Sequence, residues 1–140
     1  MGSRLSGRRV LVVEDEVMVS WLLEDMLAEL GCEVVGPAAW LGQALAIVDA
    51  ETFDLAVLDV NLNGEKSFPV ADALVARGVP FVFSTGYNSD SFPETYKVYP
   101  MMQKPYGKAR LRAALESLMT TKNGFSGTQT PDKRAPERRV

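Results

Sequence analysis

Val10-Leu11-Val12-Val13-Glu14-Asp15-Glu16 is the stretch on which the fold turns. Four consecutive apolar residues, three of them β-branched, suit a strand covered on both faces. The run ends abruptly in three acids, so charge sits where the strand stops. Working outward, Val19, Leu23, Met26, Leu27 and Leu30 recur at helical spacing, and Gly31 is a natural helix stop. Cys32 to Gly36 reads as a second strand, Pro37 as a turn, and Leu41, Leu45 and Val48 as the stripe of a second helix. Leu55-Ala56-Val57-Leu58 is a third buried strand ending in Asp59, followed by a polar loop, Asn61-Leu62-Asn63-Gly64-Glu65. A third helix is expected from about Pro69 to Arg77, closed by Gly78. Val79 to Ser84 and Pro100 to Gln103 read as strands four and five, and Leu111, Leu115 and Leu118 line a last helix ending near Thr121. Between strands four and five, Pro93 and the Ser/Asp content of residues 88–97 allow a short or mobile fourth helix at most.

This (βα)5 alternation predicts an α/β fold, a doubly wound parallel sheet with helices on both faces. The ordered domain is expected over residues 8–121, after a flexible start over 1–7 and before a disordered basic tail over 122–140, where Gly, Ser, Thr, Pro and charges dominate. The tail carries five basic and two acidic residues; the rest of the chain has a net charge of −6, within a total of −3. An acidic body argues against direct DNA binding. No run approaches the ~18–20 apolar residues of a membrane span and no signal peptide is legible, so a cytoplasmic protein is expected.

Two counts remove whole chemistries. There is no histidine, which excludes His general bases, Ser/His and Cys/His catalysis and His-bound zinc. The single cysteine, Cys32, excludes internal disulfides and cysteine-rich metal sites and is expected to be a buried small hydrophobe. A metal here would have to be held by oxygen. Neither phosphate-binding glycine motif, G-x-x-x-x-G-K-[ST] or G-x-G-x-x-G, occurs.

Sheets of this kind bind ligands at the carboxyl ends of their strands. Those ends carry Glu14 and Asp15, Asp59, Thr85, and Lys104 before Pro105. Carboxylates brought together raise one another's pKa unless a cation joins them, and a hard divalent ion such as Mg²⁺ suits this set. A lysine and a hydroxyl beside them complete what phosphoryl transfer to an aspartate requires. Each residue alone has a plain structural explanation. Glu14 and Asp15 could merely favour a helix dipole, Asp59 and Thr85 could be turn residues, and Lys104 could be a solvated surface lysine.

The ordered set Val-Leu-Val-Val-Glu14-Asp15-Glu16, Leu-Ala-Val-Leu-Asp59-Val-Asn61, Ser84-Thr85-Gly86 and Gln103-Lys104-Pro105 resembles the CheY-like receiver domain of two-component response regulators. The resemblance implies a flavodoxin-like sheet of strand order 2-1-3-4-5. It implies that Asp59 is the phosphoacceptor. Glu14, Asp15 and Asp59, with the Asn61 backbone carbonyl, would hold Mg²⁺. Thr85 and Lys104 would contact the phosphoryl group. Pro80-Phe81-Val82-Phe83-Ser84-Thr85-Gly86-Tyr87 is similar to the Pro-Phe-x-Phe-x-Thr-Gly-Tyr signature of a subgroup often served by HWE-type histidine kinases. The implied protein is a signalling phosphoacceptor, not a turnover enzyme. Its partners would be a histidine kinase or phosphotransfer protein and an unknown output protein. The 19 residues after Thr121 leave no room for an output domain, so a stand-alone regulator is expected.

Three departures from the family pattern stand out. Met101 occupies the position where many receivers carry a switching Tyr or Phe; Tyr87 either replaces it as a gate or is a surface aromatic. The loop after Asp59 lacks the common proline. The fourth helix is weakly specified. Two other readings compete: a degenerate receiver used only for binding, and a Mg²⁺-dependent aspartyl-phosphate phosphatase, against which Asn61 stands where such enzymes carry a second acid. Trp21 and Trp40 are expected to be packing residues.

Overall fold

β1 (Arg9–Val13), β2 (Glu33–Ala38), β3 (Leu55–Asp59), β6 (Phe81–Thr85) and β7 (Met101–Gln103) form one parallel sheet in the order β2-β1-β3-β6-β7. The computed structural model describes residues 4–86 and 92–120. Apart from a short hairpin, the sheet strands follow the chain as 2-1-3-4-5, the flavodoxin-like order. The apolar runs are central for the reason they are apolar: β3 and β6 are buried at every position. Alternate residues of each strand serve two separate cores. Val10, Val12, Val57 and Val82 pack with α1 (Val17–Glu29) and α4 (Lys108–Thr120) on one side. Leu11, Val13, Leu58, Phe81 and Phe83 pack with α2 (Leu41–Ala50) and α3 (Phe68–Arg77) on the other.

Helix ends follow their glycines. Gly78 caps α3 at φ +72°, donating to the carbonyls of Leu74 and Val75. Gly31 (φ +85°) turns the chain after α1 into β2. Its Cα hydrogen faces the backbone of Ser6, so a side chain there would have to displace it.

Four expectations need correction. The loop after Asp59 is a hairpin, β4 (Asn61–Leu62) antiparallel to β5 (Glu65–Lys66). Asn63 (φ 51°) and Gly64 (φ 89°) take the left-handed conformations a two-residue hairpin turn needs, and buried Leu62 fixes which way it folds. Residues 4–7, expected to be flexible, form a turn instead. Leu5 is fully buried against α1, and the Gly7 N–H donates to the Gly31 carbonyl at 2.7 Å. Trp21 and Trp40 are exposed, at 62% and 58%. Trp21 lies two positions from buried Leu23, about 200° round the helix, on the outward face.

Between β6 and β7 the only helical turn among the described residues is a 3-10 turn, Glu94–Tyr96, in keeping with a short fourth helix. Aromatic contacts hold this segment. Tyr96 stacks on Phe68 with ring centroids 4.3 Å apart, Phe92 meets Phe68 and Phe83 edge-on, and Tyr99 leans on Phe81. The Tyr96 hydroxyl donates to Asp72 at 2.9 Å. Cys32 is buried and free, as expected. The tail over 122–140 lies outside the described residues.

Candidate functional site

The site forms because three neighbouring strands end level with one another. β1 and β3 pair as Val13 with Leu58, so Glu14 follows one strand where Asp59 ends the other. Asp59 is in turn opposite Ser84 of β6. β1 stops because Glu14 donates its N–H to Ala38 and the chain then turns into α1, with Glu16 as the residue before the helix. β7 delivers Lys104, whose backbone N–H donates to the Thr85 carbonyl at 2.8 Å.

Carboxylate oxygens of Glu14, Asp15 and Asp59 lie within 4.8 Å of one another. Glu14 and Asp59 are buried, at 3% and 6% exposure, while Asp15 is half-buried. Lys104 Nζ lies 3.0 Å from Glu14 Oε1 and 3.4 Å from Asp59 Oδ1, with Glu16 Oε1 at 3.7 Å. The hairpin turn is tied in as well: the Asn63 N–H donates to Asp15 Oδ2 at 2.8 Å, and the Asn63 side-chain amide donates to the Ala39 carbonyl.

Burial, and then the charge of Glu14, push the Asp59 carboxyl up to about 8; Lys104 opposes this. Burial alone would lower the Lys104 ammonium, but Asp59 and Glu14 outweigh it and hold it above its usual value. The pocket therefore has more negative charge than one lysine satisfies. A hard divalent cation fits this donor set, because all three groups are carboxylates and no nitrogen or sulfur ligand lies among them. Such a cation, with Lys104, would favour the ionised form of Asp59 at the end of its strand.

The structure thus brings together Glu14, Asp15, Asp59 and Lys104. Thr85 is buried at the end of β6, next to them in the chain of hydrogen bonds, and Asn61 lies two residues beyond Asp59 in β4. Met101 is not part of the cluster. It pairs with Phe83 in β7 and packs against the opposite core. Tyr87 lies outside the described residues. Sequence reasoning missed three contributors: Glu16, whose side chain reaches Lys104; Asn63, whose backbone anchors Asp15; and Tyr106, half-buried two residues after Lys104. The Asn-Gly pair was a legible hairpin signal; nothing local marks the other two.

A doubly wound sheet of this strand order, with clustered acids and a lysine at its strand ends, defines a flavodoxin-like protein. Residues 10–116 match the family described as the response regulator receiver domain, and the chain belongs to that family. The solution structure of SdrG from Sphingomonas melonis Fr1 is similar over 84% of this chain and 100% of that one, at 40% identity and a TM-score of 0.73. The beryllofluoride-activated conformation of SdrG, from Pseudomonas melonis Fr1, is 44% identical over 79% of this chain and 97% of that one, with a TM-score of 0.68. The transcriptional regulatory protein PdtaR of Mycobacterium tuberculosis is 27% identical over 113 residues, 78% of this chain. The chain spans about half the length of that curated relative, 55%. No helix among the described residues is long and apolar enough to cross a membrane.

Proposed function

We propose that this chain is a stand-alone, cytoplasmic response regulator that accepts a phosphoryl group on Asp59 from a phosphohistidine and signals through protein contacts or drains phosphate from a relay. The observation that carries this reading is Lys104 bridging Glu14 and the buried Asp59 within the carboxylate triad. The full-length match to the SdrG chain supports the stand-alone form.

In the transfer, an Asp59 carboxylate oxygen attacks phosphorus in line. The P–O bond forms as the P–N bond to the donor imidazole breaks, and the electron pair leaves on nitrogen. Asp15, Asp59 and Glu14, with the Asn61 carbonyl, would hold Mg²⁺, which when bound supplies neutralising charge to the carboxylates and the transferred oxygens. Lys104 pairs with a phosphoryl oxygen, and the Thr85 hydroxyl donates to another. Hydrolysis reverses the modification: water attacks phosphorus, phosphate leaves and the Asp59 carboxylate returns.

The donor reaches Asp59 past the N-terminal end of α1. That helix turns Val17, Met18, Trp21 and Leu22 outward, each more than half exposed. Leu22 also borders a groove lined by Met26, Pro105 and Tyr106 and reaching Lys104. An apolar patch of this kind beside a site suits a protein partner, and we assign it to a helical surface bearing the phosphohistidine, on a histidine kinase of the HWE type or a phosphotransfer protein. Trp21→Ala should slow transfer from the kinase by about tenfold, a typical hot-spot loss, and slow labelling by acetyl phosphate less. Equal slowing of both would remove the patch from the donor interface.

The deciding experiment is intact mass after incubation with acetyl phosphate, with and without Mg²⁺, for the wild type and Asp59→Asn. One phosphoryl adduct, on the wild type with Mg²⁺, is expected. Adducts on both proteins would move the acceptor elsewhere. No adduct from acetyl phosphate or from a phosphorylated kinase would leave a binding module.

A further inference from the structure

Each of the two acids that follow β1 has a carboxylate oxygen claimed by a backbone N–H. Glu14 Oε2 accepts from the Glu16 N–H at 3.1 Å, while Glu14 Oε1 lies 3.0 Å from Lys104 Nζ. Asp15 Oδ2 accepts from the Asn63 N–H at 2.8 Å. The first donor comes with the chain, two residues from its acceptor. The second comes from 48 residues away, on the hairpin that follows Asp59, so the fold has to deliver it.

Three features hold that donor in place. Asn63 and Gly64 take the left-handed conformations of the turn, at φ 51° and 89°. Leu62, just before them, is fully buried. The Asn63 side-chain amide donates to the Ala39 carbonyl at 3.1 Å, and Ala39 is fixed in turn by its own N–H, which donates to Gln43 Oε1 at 2.9 Å. Asn63 is itself exposed, so core packing does not explain the residue. A hairpin turn asks only for the left-handed conformation, which glycine supplies equally well. The bonds from Asn63 to Asp15 and to Ala39 go beyond what the turn needs, and together they fix one oxygen of an acid in the carboxylate cluster.

We propose that Asn63 is a positioning residue that sets cation specificity: by holding Asp15 Oδ2 it confines Asp15 to ligation through its other oxygen, which favours Mg²⁺ over Ca²⁺. Mg²⁺ is small, demands near-octahedral geometry and keeps several waters, so a carboxylate serves it through a single oxygen. Ca²⁺ is larger, takes more oxygens in a looser arrangement and gains when a carboxylate binds through both. A carboxylate oriented by a fixed N–H donor is also a better ligand for the cation with the stricter geometry. This inference rests on the Mg²⁺ site of the phosphoacceptor reading.

The test is calorimetric titration of the metal-free full chain with Mg²⁺ and, separately, with Ca²⁺, for the wild type, Asn63→Val and Asn63→Gly, with the urea midpoint of each in chelator alongside. A β-branched residue does not tolerate the positive φ, so Asn63→Val withdraws the N–H from Asp15. Its Mg²⁺ affinity should fall by about tenfold, as when an outer partner of a metal ligand is removed. Its Ca²⁺ affinity should stay within about twofold or rise, because the freed oxygen becomes available to the larger ion. Asn63→Gly keeps the turn and the N–H but loses the anchor on Ala39, and its Mg²⁺ affinity should fall by about threefold, the worth of one hydrogen bond. Should Asn63→Val be unfolded in chelator, Asn63→Gly decides by the same comparison. A ratio of Mg²⁺ to Ca²⁺ affinity equal to that of the wild type, whether both cations weaken alike or neither does, would overturn the role of Asn63. Mg²⁺-dependent labelling of wild-type Asp59 by acetyl phosphate would then still stand. A wild type that binds no Mg²⁺ would overturn the cation site and this inference together.

Discussion

At the scale of single residues, Asp59 is the group whose environment is most telling for the site. It is a buried acid beside another buried acid, with its pKa moved from near 3.8 in the unfolded chain up to about 8 in the folded one. The folded state therefore binds more protons between these values. Its contribution to stability is full below about pH 4 and is lost as the pH rises toward 8. Metal-free protein should unfold at progressively lower temperature over that range. Asp59→Asn removes the acid and should raise the midpoint at pH 8 by on the order of 5 °C, with a flatter pH profile; calorimetry from pH 5 to 8 checks this. An identical slope in wild type and variant would mean that Asp59 is already charged in the folded protein. The residues around it were legible to different degrees. Glu14, Asp15, Asp59 and Lys104 announce themselves by ending apolar runs. Glu16 and Asn63 do not, because their contacts with Lys104 and Asp15 come from other elements of the fold.

At the scale of elements, apolar runs and glycine stops specify the strands and helices well, since each is a local matter of period and backbone freedom. The segment from Phe92 to Tyr99 is different. Its sequence is poor helix material, and its position comes from ring contacts with Phe68, Phe81 and Phe83, which belong to other elements. Phe83 sits at the middle of this cluster and is fully buried. Phe83→Ala should cost about 3–5 kcal/mol and loosen the segment; urea unfolding measures the first and amide exchange at residues 94–99 the second. Trp40→Ala, in contrast, touches an exposed ring and should change stability by about 0.5 kcal/mol or less. A loss of more than 2 kcal/mol there would mean that Trp40 packs in solution. The two tryptophans show the weakness of residue type as a guide to burial: Trp21 lies on the outward face of α1, Trp40 is the extended residue that precedes α2, and both are exposed.

At the scale of the whole molecule, the carboxylates couple the fold to cation binding. Glu14 and Asp59 are separated by most of two βα units and meet only when β1 and β3 pair. A cation that binds this cluster binds only the folded chain. Mg²⁺ at about 100 times its dissociation constant should stabilise the protein by about 2.7 kcal/mol, read as a shift in the urea midpoint. Asp59→Asn should show a smaller shift. Equal shifts would place the cation elsewhere.

What the sequence by itself determined was the alternation of strands and helices, the parallel class of the sheet and the charged residues at its strand ends, because all of these are local properties of short runs. Tertiary structure alone decided the rest. It brought Lys104 to within 3.4 Å of both Glu14 and Asp59, tied Asp15 to the hairpin and turned the tryptophans outward. Those outcomes depend on strand register and on which residues share a face of the sheet, and a one-residue change in register would have sent the same side chains to the opposite core.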